Sequence, residues 1–192
     1  MIAACIGLDV ESISTQASAV PGATVEIIIN AIQRSPQDVR ISYAALGVPL
    51  AATSVNPLAS NQRIQSVHQI AIPSDAPISQ PYWLVAPHEL GRYQVAQPQQ
   101  IGSPENSPSL PIHITVRING YAIDYTLATT FNYNDTVNGE VKEPFVLTPP
   151  AMVNLSEPIQ IFSQSQPREF TTRITAKSDI AAGTVRFEVA EG

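Results

Sequence analysis

Residues 112–127 read IHITVRINGYAIDYTL, and this stretch is the clearest indication of the fold class. Apolar and polar residues alternate from Ile112 to Ile118, and strand-forming residues resume from Tyr121 to Leu127. Asn119 and Gly120 stand between the two segments, and both residues tolerate the positive φ angles of a two-residue hairpin turn. The stretch therefore predicts an antiparallel β-hairpin.

Further strand candidates are spread along the whole chain. They are residues 25–32, 39–43, 64–72, 159–162, 170–176 and 184–189. The 17 prolines and 9 glycines interrupt the sequence every few residues, which disfavours long helices. Short strands separated by turns are typical of an all-β sandwich, and we predict that fold class.

Residues 79–110 interrupt the strand pattern and mark the predicted domain boundary. This region is rich in proline and poor in β-branched residues, and it contains the only tryptophan of the chain. We therefore predict two tandem Ig-like antiparallel β-sandwich domains, at residues 1–80 and 109–192. Residues 81–108 would form a Pro-rich aromatic joint between them.

The aromatic residues of this joint have two alternative roles. A sandwich of about 80 residues buries only about 60–65% of its unfolded surface, so two such domains gain from packing against each other. We expect Tyr82, Trp83, Leu84 and Tyr93 to be buried between the two domains. The alternative is a ligand site in the cleft between the domains, for which Trp83, Arg92 and Tyr93 are the candidate binding residues.

The charge of the chain argues against nucleic-acid and membrane partners. The net charge is −6, and only 14% of the residues are charged, against roughly 25% in typical globular proteins. An acidic surface does not attract phosphate backbones, so we expect no nucleic-acid partner. The sequence also lacks a polybasic cluster and an apolar run of about 18 residues, so we expect no membrane contact.

Motifs for catalysis or cofactor binding are missing from the sequence. It has no G-x-S-x-G nucleophile turn, no glycine-rich phosphate loop and no dinucleotide fingerprint. The single cysteine, Cys5, permits neither an intrachain disulfide nor a cysteine-based metal site, and we expect it to be a buried core thiol. We therefore expect this chain to have no enzyme activity, no cofactor and no metal ion.

Two weaker metal candidates stay open at this point. His88 lies beside Glu89, but a zinc site needs at least a third ligand, whereas His68 and His113 are expected on strand surfaces. The loop at residues 132–145 concentrates acidic residues and asparagines, which are oxygen ligands that calcium prefers. Its spacing does not match an EF-hand, and the simpler interpretation is that Asp and Asn bind local backbone donors.

Short motifs occur in a definite order along the chain. The most specific is SQPYWL at residues 79–84. The others are CIGL at 5–8, VPG at 20–22, GRYQV at 91–95, IGSPE at 101–105 and PF at 144–145. This set resembles the region that follows the catalytic domain in long PIG-L/LmbE-type deacetylases of Bacteroidetes-like bacteria. The resemblance extends over essentially the whole chain.

The resemblance implies Ig-like sandwich modules behind an α/β domain that binds zinc through a His-Pro-Asp-Asp motif and removes N-acetyl groups from sugars. This chain lacks that motif, and PHEL at residues 87–90 is the nearest string, so no zinc ligand is carried over. The implied function is a noncatalytic accessory region that packs on or orients the catalytic deacetylase domain of the same polypeptide. The abrupt apolar start after Met1 is expected of a piece of a longer chain, with Met1 added for expression.

Two further expectations accompany this function. The resemblance implies a secreted or periplasmic protein. The alternative function is a carbohydrate-binding module, in which exposed aromatic side chains such as Trp83 would bind a glycan.

Overall fold

The structure is a computed structural model that describes residues 2–50, 57–87, 89–157, 169 and 171–186. Within these residues the only α-helix is α1, a single turn at Ile2–Cys5, and two 3₁₀ turns lie at Tyr82–Leu84 and Pro98–Gln100. The strands are β1 (Asp9–Ser14), β2 (Ser18–Ala19), β3 (Thr24–Ile32), β4 (Val39–Ala45), β5 (Val48–Pro49), β6 (Ile64–Ala71), β7 (Pro111–Ile118), β8 (Tyr121–Asp135), β9 (Gly139–Pro144), β10 (Val146–Leu147), β11 (Ala151–Leu155) and β12 (Thr172–Ala176). The predicted all-β class is confirmed.

The hairpin predicted from residues 112–127 is present. Strands β7 and β8 pair antiparallel, and Ile118 lies opposite Tyr121. Asn119 and Gly120 have φ angles of 48° and 90°, the left-handed values that a two-residue turn of type I′ requires. Strand β8 continues beyond the predicted end to Asp135, and this extension shapes the rest of the fold.

Strand β8 connects the two parts of one curled mixed sheet. The strand order is β5-β4-β7-β8-β1-β3-β6, and β9 also pairs with β8. The first part of β8 pairs with β7, and its second part pairs with β1 and β9. The β1–β8 pairing is parallel, and the other pairings along this path are antiparallel.

The predicted division of the chain at residues 79–110 does not coincide with a break in this sheet. Strand β4, before the division, pairs with β7, after it, along the whole of Val39–Ala45. Buried side chains from both sides, among them Ile27, Ile41 and Ile114, belong to one hydrophobic cluster. Tandem Ig-like domains are therefore not confirmed, because residue alternation predicts strands but does not say which distant strands pair.

The junction between β1 and β8 contains a buried polar network. The hydroxyl oxygens of Ser12 and Thr129 lie 2.9 Å apart, and the Thr129 hydroxyl donates to the carbonyl of Leu110 at 2.8 Å. Both side chains are only 2% exposed. Because buried hydroxyl groups are costly when unpaired, this network stabilises the parallel pairing only while both members are present.

Strands β11 and β12 form a separate two-stranded ladder, in which Ala151 lies opposite Ala176. The strand predicted at residues 170–176 is confirmed for its residues 172–176. Residues 184–186 are not in a strand, and the predicted segments 159–162 and 187–189 lie outside the described residues.

Cys5 is exposed, so the prediction of a buried core thiol is wrong. It ends the terminal turn α1 and lies before the first strand, β1. Side chains from the strands form most of the described core instead. An apolar run near a chain end predicts burial only when it belongs to a strand or helix that faces the core.

Candidate functional site

A groove lies between residues 72–78 and the long connection at 79–110, and its volume is about 710 Å³. Binding sites for small ligands commonly have volumes of about 300–1,000 Å³. Aliphatic and proline side chains form much of its wall, and glutamines and asparagine supply the amides. Its lining residues are Leu46, Ile72, Pro73, Asp75, Ala76, Pro77, Ile78, Ser79, Gln80, Tyr82, Val85, Ala86, Gln94, Ala96, Gln97, Gln100, Asn106, Ser107, Pro108, Ser109 and Leu147.

Ser79 fastens the start of the connection to the sheet. Its N–H donates to the carbonyl of Leu147 at 2.7 Å, and the Leu147 N–H donates to the Ser79 hydroxyl oxygen at 2.8 Å. The hydroxyl oxygens of Ser79 and Ser109 lie 2.6 Å apart. One serine therefore joins the two ends of the connection to each other and to β10.

Asn106 holds the interior of the connection. Its amide nitrogen donates to the carbonyl of Gln80 at 2.9 Å, and its amide oxygen accepts the N–H of Tyr82 at 2.9 Å. The Tyr82 hydroxyl donates to the carbonyl of Ser103 at 3.2 Å. These bonds replace the strand ladder that the proline-rich sequence cannot form, and they set one wall of the groove.

The chemistry of the lining favours ligands that combine apolar surface with neutral polar groups. Among the lining residues, Asp75 is the one charged side chain. The amides of Gln80, Gln94 and Gln97 can each donate and accept hydrogen bonds, as hydroxyl groups or peptide groups of a ligand require. With a carboxylate and no cation in its lining, the groove is a poor match for phosphate or carboxylate ligands.

The three predicted ligand-binding residues lie outside this groove. The Trp83 ring packs edge-on against the ring of Tyr82, with the centroids 4.9 Å apart, so it backs a lining residue without lining the groove. Arg92 exchanges backbone hydrogen bonds with Glu89, at 3.1 and 3.2 Å. Tyr93 is 54% exposed. The structure therefore does not bring Trp83, Arg92 and Tyr93 together in the groove.

The prediction that the aromatic joint is buried between two domains is also not met. Tyr82 and Trp83 are half-buried, whereas Leu84 and Tyr93 are exposed. The reason is the sheet pairing, because strands from both sides of the connection pair directly and leave the connection on the outside of the core.

One of the two described histidines has the surface position that the sequence predicts, and the other does not. His113 is exposed as predicted, and its Nδ1 lies 3.1 Å from the Thr126 hydroxyl oxygen. His68 is buried, so its predicted surface position is wrong. Its Nε2 lies 2.9 Å from the Ser66 hydroxyl oxygen, and burial lowers the pKa of the ring. His88 lies outside the described residues.

In the loop at residues 132–145, an aspartate binds local backbone donors, as the simpler of the two interpretations predicts. The Asp135 carboxylate accepts the N–H groups of Val137 and Asn138 at 2.9 and 2.8 Å, and these bonds lower its pKa. Asp135 thus closes the β8–β9 turn, as local backbone binding by aspartate predicts. In the part of the chain that the structure describes, no group of three or more His, Cys, Asp or Glu side chains is placed to hold a metal ion.

The groove itself was missed by sequence reasoning, although a signal was present. Residues 94–100 read QVAQPQQ, and three of the four glutamines in this run line the groove. A cluster of amides in a proline-rich connection indicates polar groups held on irregular backbone. Periodicity cannot detect such a site, because every lining residue except Leu147 of β10 lies outside the strands.

No helix among the described residues is long and apolar enough to cross a membrane.

No protein-family model matches the sequence, and no curated protein matches it significantly. Among solved structures, the chain is similar to Spo0M, a sporulation control protein from Bacillus subtilis, with a TM-score of 0.32 and 10% sequence identity. The alignment covers 89% of this chain and 68% of the Spo0M chain. A likeness at this level supports no conclusion about fold or function.

Proposed function

We propose that this chain is a noncatalytic β-sandwich accessory region that contacts its partner through the groove beside the 79–110 connection. The observation that carries the proposal is the groove, which joins apolar side chains and amides on a backbone pinned by Ser79 and Asn106. A pinned backbone loses little entropy on binding, which favours recognition by a surface of this kind.

The partner that we propose is the catalytic domain of a PIG-L-like sugar deacetylase in the same polypeptide. This part of the proposal rests on the motif resemblance, with SQPYWL at residues 79–84 as its most specific element. That element begins at Ser79 and includes Gln80 and Tyr82, and all three line the groove. An Ig-like class for the sandwich and a secreted or periplasmic location belong to the same proposal.

The test is association with a separately produced deacetylase domain of that class. Ile78 lines the groove and is 42% exposed, so Ile78→Asp places a charge in the contact without opening the core. Loss of about 1–2 kcal/mol of apolar contact should weaken binding by about fivefold to thirtyfold.

The matched control is Ile101→Asp. Ile101 lies in the 79–110 connection, next to the lining residue Gln100, and is 67% exposed, but it does not line the groove. We expect the control to bind like the unchanged chain in calorimetry and co-purification. Equal binding by both variants, or no association at all, would count against the proposal.

The alternative is a carbohydrate-binding module that acts through the same groove. The amides of Gln80, Gln94 and Gln97 with the half-buried ring of Tyr82 are groups that bind sugar hydroxyls and sugar faces. A glycan array followed by titration calorimetry separates the two functions. Glycan binding that Gln94→Ala weakens would favour this alternative, whereas a blank array would remove it.

A further inference from the structure

Among the residues that the structure describes, the sheet has open edges at β5, β6 and β9, and these three edges differ in their protection. Strand β5 is only 2 residues long, and β9 carries Glu140, Lys142 and Glu143 and ends on a proline. Short length, charge and proline are the devices that prevent an edge from pairing with another chain. Strand β6 is 8 residues long, reads IQSVHQIA and has none of these devices.

The backbone of β6 directs alternate residues towards β3 and away from it. The N–H of Ile72 donates to the carbonyl of Ala23 at 2.9 Å. In the antiparallel register, the backbone N–H and C=O groups of the even-numbered residues of β6 therefore point towards β3. The opposite N–H and C=O groups point outward. They belong to Gln65, Val67, Gln69 and Ala71.

The hydrogen bonds between β3 and β1 lead to the same assignment of inward and outward backbone groups. The N–H of Thr15 donates to the carbonyl of Glu26 at 3.2 Å. The backbone N–H and C=O groups of the even-numbered residues of β3 therefore point towards β1, and those of its odd-numbered residues point towards β6. Within the described residues, no backbone group bonds to the outward edge of β6. At that edge, the backbone N–H and C=O groups of these four residues are positioned to hydrogen-bond with another strand.

We propose that the open edge of β6 pairs antiparallel with β6 of a second copy of this chain, about a two-fold axis. The register that uses all four outward residues places Gln65 opposite Ala71 and Val67 opposite Gln69 of the other copy. By symmetry this gives four pairs of residues, and each pair exchanges two hydrogen bonds, as in an antiparallel ladder. A register centred on Val67 gives only three such pairs.

The distribution of charge selects a second copy as the occupant. The chain has a net charge of −6, so two copies repel each other over most of their surfaces, but β6 contains no carboxylate. Arg63 precedes β6 and Asp75 follows it. Antiparallel pairing brings Arg63 of each copy towards Asp75 of the other, and these two opposite charges attract. Val67, which is 56% exposed, also gains cover from the partner strand.

Sedimentation equilibrium of the full chain across a concentration series tests the association. Val67→Pro removes an outward N–H and leaves the ladder to β3 unchanged, because only residues of the other phase bond to β3. We expect the dissociation constant of the dimer to rise by about tenfold or more. Val67→Thr keeps the N–H and should keep the dimer, and circular dichroism confirms that both variants are folded.

Disulfide trapping tests the register, with Cys5→Ser as the background. Val67→Cys and Gln69→Cys lie directly opposite each other in the proposed register, at a Cα separation of about 5.5 Å that a disulfide can span. An oxidised mixture of the two variants should cross-link faster than either variant alone. Fastest cross-linking of Val67→Cys with itself would overturn the register. A wild-type chain that stays monomeric, or that binds only an unrelated extended peptide, would overturn the second copy as the occupant.

Discussion

The hydrophobic cluster that both sides of the 79–110 connection share leads to a prediction about Ile27 and Ile112. Ile27 lies in β3, before the 79–110 connection, and Ile112 lies in β7, after it. Both side chains are 0% exposed and belong to one buried cluster. We therefore expect Ile27→Ala and Ile112→Ala to destabilise the same folding unit.

The magnitude follows from the size of the removed side chain. Replacing a buried isoleucine by alanine costs about 2–5 kcal/mol, because apolar contact is lost and a cavity remains. For a protein of this size, 1 kcal/mol lowers the Tm by about 2–4 °C. With about 3 kcal/mol per substitution, each variant should lower the Tm of one shared transition by about 6–12 °C.

Differential scanning calorimetry measures this shift and counts the transitions. Leu90→Ala is the matched control, because Leu90 is fully exposed and its truncation removes no core contact, so the Tm should stay within about 1 °C. Two resolved transitions, of which Ile27→Ala lowers one and Ile112→Ala lowers the other, would refute the single core. That result would support two independently folded sandwiches instead.

Three further predictions concern single polar groups. Thr129→Val should lower the free energy of unfolding in urea by about 1–3 kcal/mol, since it leaves the buried Ser12 hydroxyl without its partner. The double variant with Ser12→Ala should lose less free energy of unfolding than the sum of the two single variants. Burial, with a smaller effect from the charge of Tyr125, raises the pKa of Tyr43 to about 12, so a late tyrosinate absorbance step should disappear in Tyr43→Phe. Because this pKa is raised in the folded state, the stability from Tyr43 is complete below the unfolded pKa of about 10 and is lost as the pH rises to about 12. The hydrogen bonds from Asn138 and Val137 lower the pKa of Asp135 in the folded state. The stability that Asp135 contributes is therefore complete above its unfolded pKa and is lost as the pH falls through its folded pKa. Asp135→Ala should abolish this pH dependence in acid unfolding. An unchanged acid limb in that variant would contradict the role of Asp135 in the turn.

Sequence reasoning predicted elements better than positions within the fold. The segments 25–32, 39–43 and 64–72 each correspond to a strand, since their alternation is a local property of the chain. His68 shows where the reasoning fails. Its polar side chain suggested the surface, but it shares the phase of Ile70 and Ile72 and therefore faces inward with them.

The all-β class, the β7–β8 hairpin and its Asn119–Gly120 turn could be predicted from the amino-acid sequence, because these features depend on residues only a few positions apart. Three features became visible only in the folded chain: β4 pairs with β7, one described core spans the proline-rich connection, and a groove forms beside that connection. The physical reason is that alternation specifies which face of a strand is buried, whereas the choice of neighbour depends on how distant strands share one apolar interior. The connection was recognisable as irregular backbone, but its bonds to Leu147 and within itself depend on that arrangement.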